Sequence, residues 1–220
     1  MSEQPLETIE IETAPNPAAS IIWMHGLGAD GKDFAPLADE IDLPIAVRYI
    51  FPHAPMMPVS INGGYVMRAW YDINDAALRR EDETGVRASQ KSVEALLARE
   101  KSRGIAANRV VLAGFSQGGA IALHTGLRQS ERLAGVMALS TYLPLADKLA
   151  AEANPANREL QVFMAHGTAD PMIPFARARA SRELLLRQGY ALEWREYRME
   201  HAVCPQEIAD IGAWLARVLG

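Results

Sequence analysis

A single cysteine, Cys204, stands in 220 residues, so no internal disulfide framework can form and a reducing compartment is expected. Clustered positive charge is equally scarce. The net charge is −5 and no basic run is longer than Arg79-Arg80, too little for nucleic acid or an anionic membrane surface to be the main partner. No apolar run approaches the roughly 18 residues that suggest a membrane span, so stable membrane insertion is not expected. The opening Met1-Ser2-Glu3-Gln4-Pro5 carries neither the basic nor the apolar region of a secretion signal, and a cytoplasmic location is expected. Neither an H-E-x-x-H pattern nor a Cys/His cluster occurs, so no metal or other cofactor is expected.

What is present reads as an ordinary globular chain, 49% hydrophobic and 22% charged. Its length suits one domain over residues 1–220. Short apolar runs at Ser20–His25, Ala46–Phe51, Arg109–Ala113, Gly135–Leu139, Leu160–Ala165 and Ala191–Tyr197 predict strands. Several are continuous rather than alternating, as in strands buried on both faces of a parallel sheet. Between them, helical spacing recurs over Thr84–Arg103, Phe175–Gln188 and Gln206–Leu219. Strand–helix alternation of this kind predicts an α/β class, with a mostly parallel central sheet and helices on both faces. One long breaker-rich stretch, Phe51 to Gly64, reads as a functional loop. In such sheets ligands bind beyond the carboxyl ends of the strands, so the residues just after each strand carry the chemistry.

After the run Arg109–Ala113 comes Gly114-Phe115-Ser116-Gln117-Gly118-Gly119, followed by the apolar helix Ala120–Leu127. This G-x-S-x-G pattern in strand–turn–helix context is a nucleophile elbow. The turn lifts the Ser116 hydroxyl above the sheet edge. It also brings strand and helix so close that the positions two before and two after must be nearly free of side chain. The helix start directs free N–H groups and a positive dipole end at developing negative charge.

A serine hydroxyl is a weak nucleophile until a base takes its proton. His124 lies inside the elbow helix, which leaves His166 and His201 downstream. His201 falls between the last strand and the last helix, on a strand-end loop. His166 closes its own strand and is followed by Gly167-Thr168-Ala169-Asp170-Pro171, which puts Asp170 on the next loop. Ser116, Asp170 and His201 thus have the order and placement of a hydrolase triad, with His201 as base and Asp170 as the acid that orients it. Asp147 and Asp210 are rival acids, but the first reads as a helix cap and the second sits within the final helix.

The tetrahedral intermediate needs two fixed donors for its oxyanion. The Gln117 N–H is one candidate, and the Leu27 N–H in His25-Gly26-Leu27-Gly28 is the other. His25 itself reads as structural. For the acyl group, the stretches Met67-Arg68-Ala69-Trp70-Tyr71, Tyr142-Leu143 and Met172-Ile173 converge on the same sheet edge and predict an apolar slot, with Met67, Trp70, Tyr142, Leu143 and Ile173 as its expected lining.

Five stretches together resemble the phospholipase/carboxylesterase family. They are His25–Gly31, Ile61–Asp72, Gly114–Gly119, His166–Pro174 and His201–Glu207, in order over nearly the whole chain. The resemblance implies an α/β-hydrolase fold without a large cap domain. It gives Ser116, Asp170 and His201 the triad roles, Leu27 and Gln117 the oxyanion roles, and Trp70 and Tyr142 places near the acyl pocket. Met56-Met57 stands where relatives often carry polar or basic residues. The expected substrate is a small-molecule ester or acylated compound, and the family leaves a homodimer open. Three functions compete: a carboxylesterase for short- to medium-chain esters, a thioesterase or lysophospholipase for longer chains, and a catalytically silent binding module.

Overall fold

The computed structural model describes residues 5–75 and 81–220. In chain order its strands and helices are β1 (Thr8–Glu12), β2 (Ala19–Met24), α1 (Leu37–Glu40), β3 (Val47–Pro52), β4 (Met56–Val59), β5 (Tyr65–Arg68), α2 (Glu83–Ser102), β6 (Val110–Phe115), α3 (Gln117–Gly126), β7 (Gly135–Leu139), α4 (Leu149–Glu152), β8 (Gln161–Gly167), α5 (Phe175–Arg187), β9 (Ala191–Tyr197) and α6 (Pro205–Leu219). Seven strands form the main sheet in the order β1-β3-β2-β6-β7-β8-β9. All neighbours are parallel except β1, which lies antiparallel against β3 at one edge.

The continuous apolar runs become strands because both faces of the sheet are covered. Ile22, Leu112, Val136 and Val162 pack on one face with Val86, Val93 and Leu96 of α2 and Ile121 and Leu123 of α3. Their sequence neighbours Trp23, Val111, Met137 and Phe163 pack on the other, with Ile211, Trp214 and Leu215 of α6. Alternate residues of each strand therefore serve two separate cores. No helix among the described residues is long and apolar enough to cross a membrane.

One expectation needs correction. The stretch from Phe51 to Gly64 is not a continuous loop, because Met56–Val59 forms β4 and pairs antiparallel with β5 in a hairpin of its own. The Asn62-Gly63-Gly64 stretch, a strong turn sequence, lies in the connection that folds β5 back on β4. The hairpin exposes Met56, Ile61, Tyr65 and Val66.

The edge strand β1 is held by charge. Arg48 of β3 pairs with Glu12 at 2.8 Å and with the fully buried Glu100 of α2 at 2.7 Å. Glu100 also accepts from Ser20 Oγ at 2.5 Å and pairs with Arg103 at 3.0 Å. Glu10 is bridged by Arg99 and Arg103, each at 2.7 Å.

Candidate active site

Ser116 follows β6 directly and caps α3 with φ 54° and ψ −121°, a region that non-glycine residues enter only under constraint. The constraint is visible on both sides. Its N–H donates to Leu139 C=O at 2.9 Å, and its C=O accepts from Thr141 Oγ1 at 2.6 Å. The two flanking glycines allow the approach. A Cβ on Gly114 would lie 2.2 Å from the Gly118 carbonyl carbon, and one on Gly118 would lie 2.2 Å from Met24 O.

These are backbone clashes that no rotamer relieves. Gly118→Ala is therefore expected to destabilise the protein by more than about 4 kcal/mol. Gly212→Ala is the contrast. It lies within α6, where the new Cβ would meet only Ile41 Cγ2 at 3.6 Å, and it should raise stability by up to about 1 kcal/mol through helix propensity. Denaturant midpoints of the two variants test the pair.

Asp170 lies on the loop after β8 and His201 on the loop after β9. Backbone bonds beyond the strands hold the two loops together, from Thr168 N–H to Tyr197 C=O at 2.8 Å and from Ala169 N–H to Met199 C=O at 3.1 Å. His201 Nδ1 donates to Asp170 Oδ2 at 2.7 Å. The other carboxylate oxygen accepts the N–H groups of Met172 and Ile173 at 2.8 and 2.9 Å, which fixes the carboxylate plane. This arrangement places the proton of a neutral imidazole on Nδ1 and leaves Nε2 free to accept. Ser116 Oγ makes no hydrogen bond among the described residues. What unites it with His201 is the wall of one cavity, and such bonds often tighten only when substrate is bound.

Two further histidines are buried and bonded. His166 Nε2 donates to Ile173 C=O at 2.9 Å and lies 3.4 Å from Asp170 Oδ2, so it braces the Asp170 loop. Burial depresses its pKa and keeps it neutral. His25 bonds through both nitrogens, to Gly26 C=O at 2.7 Å and from Ala54 N–H at 3.0 Å. Burial depresses it likewise, and it has no nitrogen left for chemistry. The rival acid Asp210 accepts from Tyr197 Oη at 2.8 Å on α6.

The cavity that contains Ser116 and His201 has a volume of about 640 Å³. Leu27, Gln117, Met67, Tyr142 and Ile173 line it, as their positions in the sequence suggested. Trp70 and Leu143 do not. The Trp70 indole turns away and donates from Nε1 to His25 C=O at 2.8 Å, leaving the residue 2% exposed. Leu143 joins the core beneath the sheet, while its neighbour Tyr142 faces the cavity. Tyr71 takes the place expected of Trp70, and its hydroxyl meets that of Tyr142 at 2.9 Å. β5 ends at Arg68, and the bend that follows turns Tyr71 toward the cavity and Trp70 away from it. Phe34, Phe115, Ile61 and Val203 also line the cavity, and no local pattern singled them out for that role.

A second groove, about 750 Å³, opens where β7, β8 and β9 begin. Its two arginines, Arg132 and Arg217, are paired with Glu159 and Glu193. Its lining among the described residues contains no serine, cysteine or histidine. Although larger, it lies at the opposite strand ends from the nucleophile.

The sequence profile of the phospholipase/carboxylesterase family matches residues 6–219. The chain belongs to the phospholipase/carboxylesterase family. Among relatives of this family, an acyl-protein thioesterase 1 of Gibberella zeae is 36% identical over 234 aligned positions, covering 100% of this chain and 98% of that protein. The crystal structure of Arabidopsis thaliana SOBER1 superposes with a TM-score of 0.87 at 28% identity, covering 92% of this chain and 99% of the other. Acyl-protein thioesterase 2 of Zea mays superposes at 0.85 and 28%, covering 97% and 99%. As a family member the protein is a serine hydrolase with the α/β-hydrolase fold, and its mostly parallel sheet is the family's.

Proposed function

We propose that this hydrolase cleaves carboxylic esters or thioesters through an acyl-enzyme on Ser116. His201 accepts the Ser116 proton and returns it to the leaving group, and Asp170 holds the imidazole tautomer. The N–H groups of Leu27 and Gln117 receive the oxyanion. The observation that carries this reading is the Asp170–His201 pair, 2.7 Å apart, on the same cavity as a serine held at φ 54°. The cavity favours medium to long acyl chains over the shortest ones. An acetyl group would leave most of its 640 Å³ without contacts and forfeit the dispersion and burial that a longer chain collects.

The test is hydrolysis of p-nitrophenyl esters from acetate to palmitate, beside a matched acyl thioester series, with Ser116→Ala as reference. The expected result is kcat/KM rising beyond butyrate, with Ser116→Ala lower by about 10⁵-fold or more. An optimum at acetate would return the reading to a short-chain carboxylesterase. Wild-type activity in Ser116→Ala would remove the mechanism altogether.

A further inference from the structure

The two N–H groups proposed to receive the oxyanion belong to different elements, Leu27 to the loop after β2 and Gln117 to the first turn of α3. An oxyanion hole works only if their separation is fixed before the charge develops. Direct packing does part of this, because Gly118 lies close against the His25 carbonyl. The rest falls to two buried side chains outside the triad.

The Gln117 carboxamide is 3% exposed and reads the backbone of the segment after β5 at two points. Its Oε1 accepts from Trp70 N–H at 3.0 Å, and its Nε2 donates to Tyr71 C=O at 2.7 Å. The Trp70 indole then reaches across to the other half of the hole, donating to the His25 carbonyl two residues before Leu27 at 2.8 Å. The Trp70 carbonyl is held in turn by the hydroxyl of Ser89 on α2. One residue further along the β2 loop, Gly28 N–H donates to Arg68 C=O at 2.9 Å. A closed circuit results, from the Gln117 side chain through the Trp70 peptide and indole to the His25 carbonyl and so to Leu27. All of its links are buried, where an unmade hydrogen bond is costly.

We propose that Gln117, through its side chain, and Trp70 are positioning residues that set the separation of the two oxyanion donors. The proposal rests on the mechanism given above. The Gln117 carboxamide is committed to the Trp70 and Tyr71 backbone although the residue lines the cavity, and Trp70 does not line it. Their effect is therefore on the stability of the tetrahedral intermediate and not on substrate binding.

The experiment compares Gln117→Met and Trp70→Phe with the wild type. Each removes hydrogen bonds while keeping most of the buried bulk. For a preferred p-nitrophenyl ester, each is expected to lower kcat by about tenfold to a hundredfold with KM unchanged, short of the 10²–10³ seen when a donor itself is lost. Affinity for a trifluoromethyl ketone, whose hemiketal carries the oxyanion, should fall by the same factor. Circular dichroism and denaturant midpoints establish that the variants are folded. Three results would overturn the proposal: a raised KM with kcat retained, an unchanged ketone affinity, or loss of folding in both variants. The first assigns the pair to the acyl wall and the last to the fold. Failure of the underlying mechanism is read separately, from wild-type activity in Ser116→Ala.

Discussion

Replacing His201 by alanine is expected to lower kcat by about five to six orders of magnitude, the loss found when a serine hydrolase is deprived of its base. The argument is geometric. His201 is the one histidine among the residues that line the cavity, and Asp170 occupies its Nδ1 and leaves Nε2 free, whereas His166 and His25 are engaged by backbone groups. Without the imidazole, the cavity lining holds no other histidine to take the Ser116 proton and return it to the leaving group. Asp170→Asn should cost about 10⁴-fold. The Asn carbonyl oxygen can still accept from Met172 and Ile173, but the amide then presents N–H groups to Nδ1 and drives the imidazole proton to Nε2. Steady-state kinetics with a chromogenic ester checks both variants. A His201→Ala enzyme within tenfold of wild type would exclude His201 as the base.

The second large effect concerns stability. Glu207, in the first turn of α6, is fully buried, and apart from a weak approach to the Cys204 backbone its carboxylate has no hydrogen-bond partner among the described residues. Burial pushes its pKa up to about 8, with the neighbouring Asp210 adding to the shift and the Cys204 backbone offsetting only part of it. Because the folded pKa lies above the unfolded value of 4.5, the folded state binds the proton more tightly. Below pH 4.5 the group is protonated in both states and carries no penalty. Between about pH 4.5 and 8 the unfolded state ionises first, and stability falls as pH rises, levelling off above 8. Glu207→Gln removes the titration. Relative to wild type it should gain roughly 4 kcal/mol between pH 4 and pH 8, which is about 8–16 °C in Tm for a chain of this size. Denaturant midpoints of both proteins across that range decide it. Parallel curves would mean that Glu207 stays ionised in the fold.

The sequence disclosed most of the fold where burial on two faces left continuous apolar runs. The strands β2, β3, β6, β7 and β8 announce themselves in this way, whereas β9 is an edge strand whose residues are mostly half-buried or exposed. β1 carries no such signal, because Thr8–Glu12 is short and acidic. It is held at the sheet edge by Arg48, Arg99 and Arg103, partners too remote in sequence to show locally. The hairpin β4–β5 was hidden among prolines, and pairing with β5 makes it a strand. In the site, Ser116, Asp170 and His201 were legible because order and strand-end placement locate loop residues well. The acyl wall was less so. Whether Trp70 or Tyr71 lines the cavity depends on how the bend after β5 turns, and the indole's bond to the His25 carbonyl holds Trp70 away from it. Composition gives no hint of that bond.

The candidate site draws Leu27, Ser116, Asp170 and His201 from the loops after β2, β6, β8 and β9, so no fragment shorter than residues 27–201 contains it. On the proposed mechanism, catalysis requires the closed assembly, with the last strand already joined to the sheet. Enzymatic turnover in denaturant should therefore trace the global unfolding curve, making activity itself a reporter of the intact molecule.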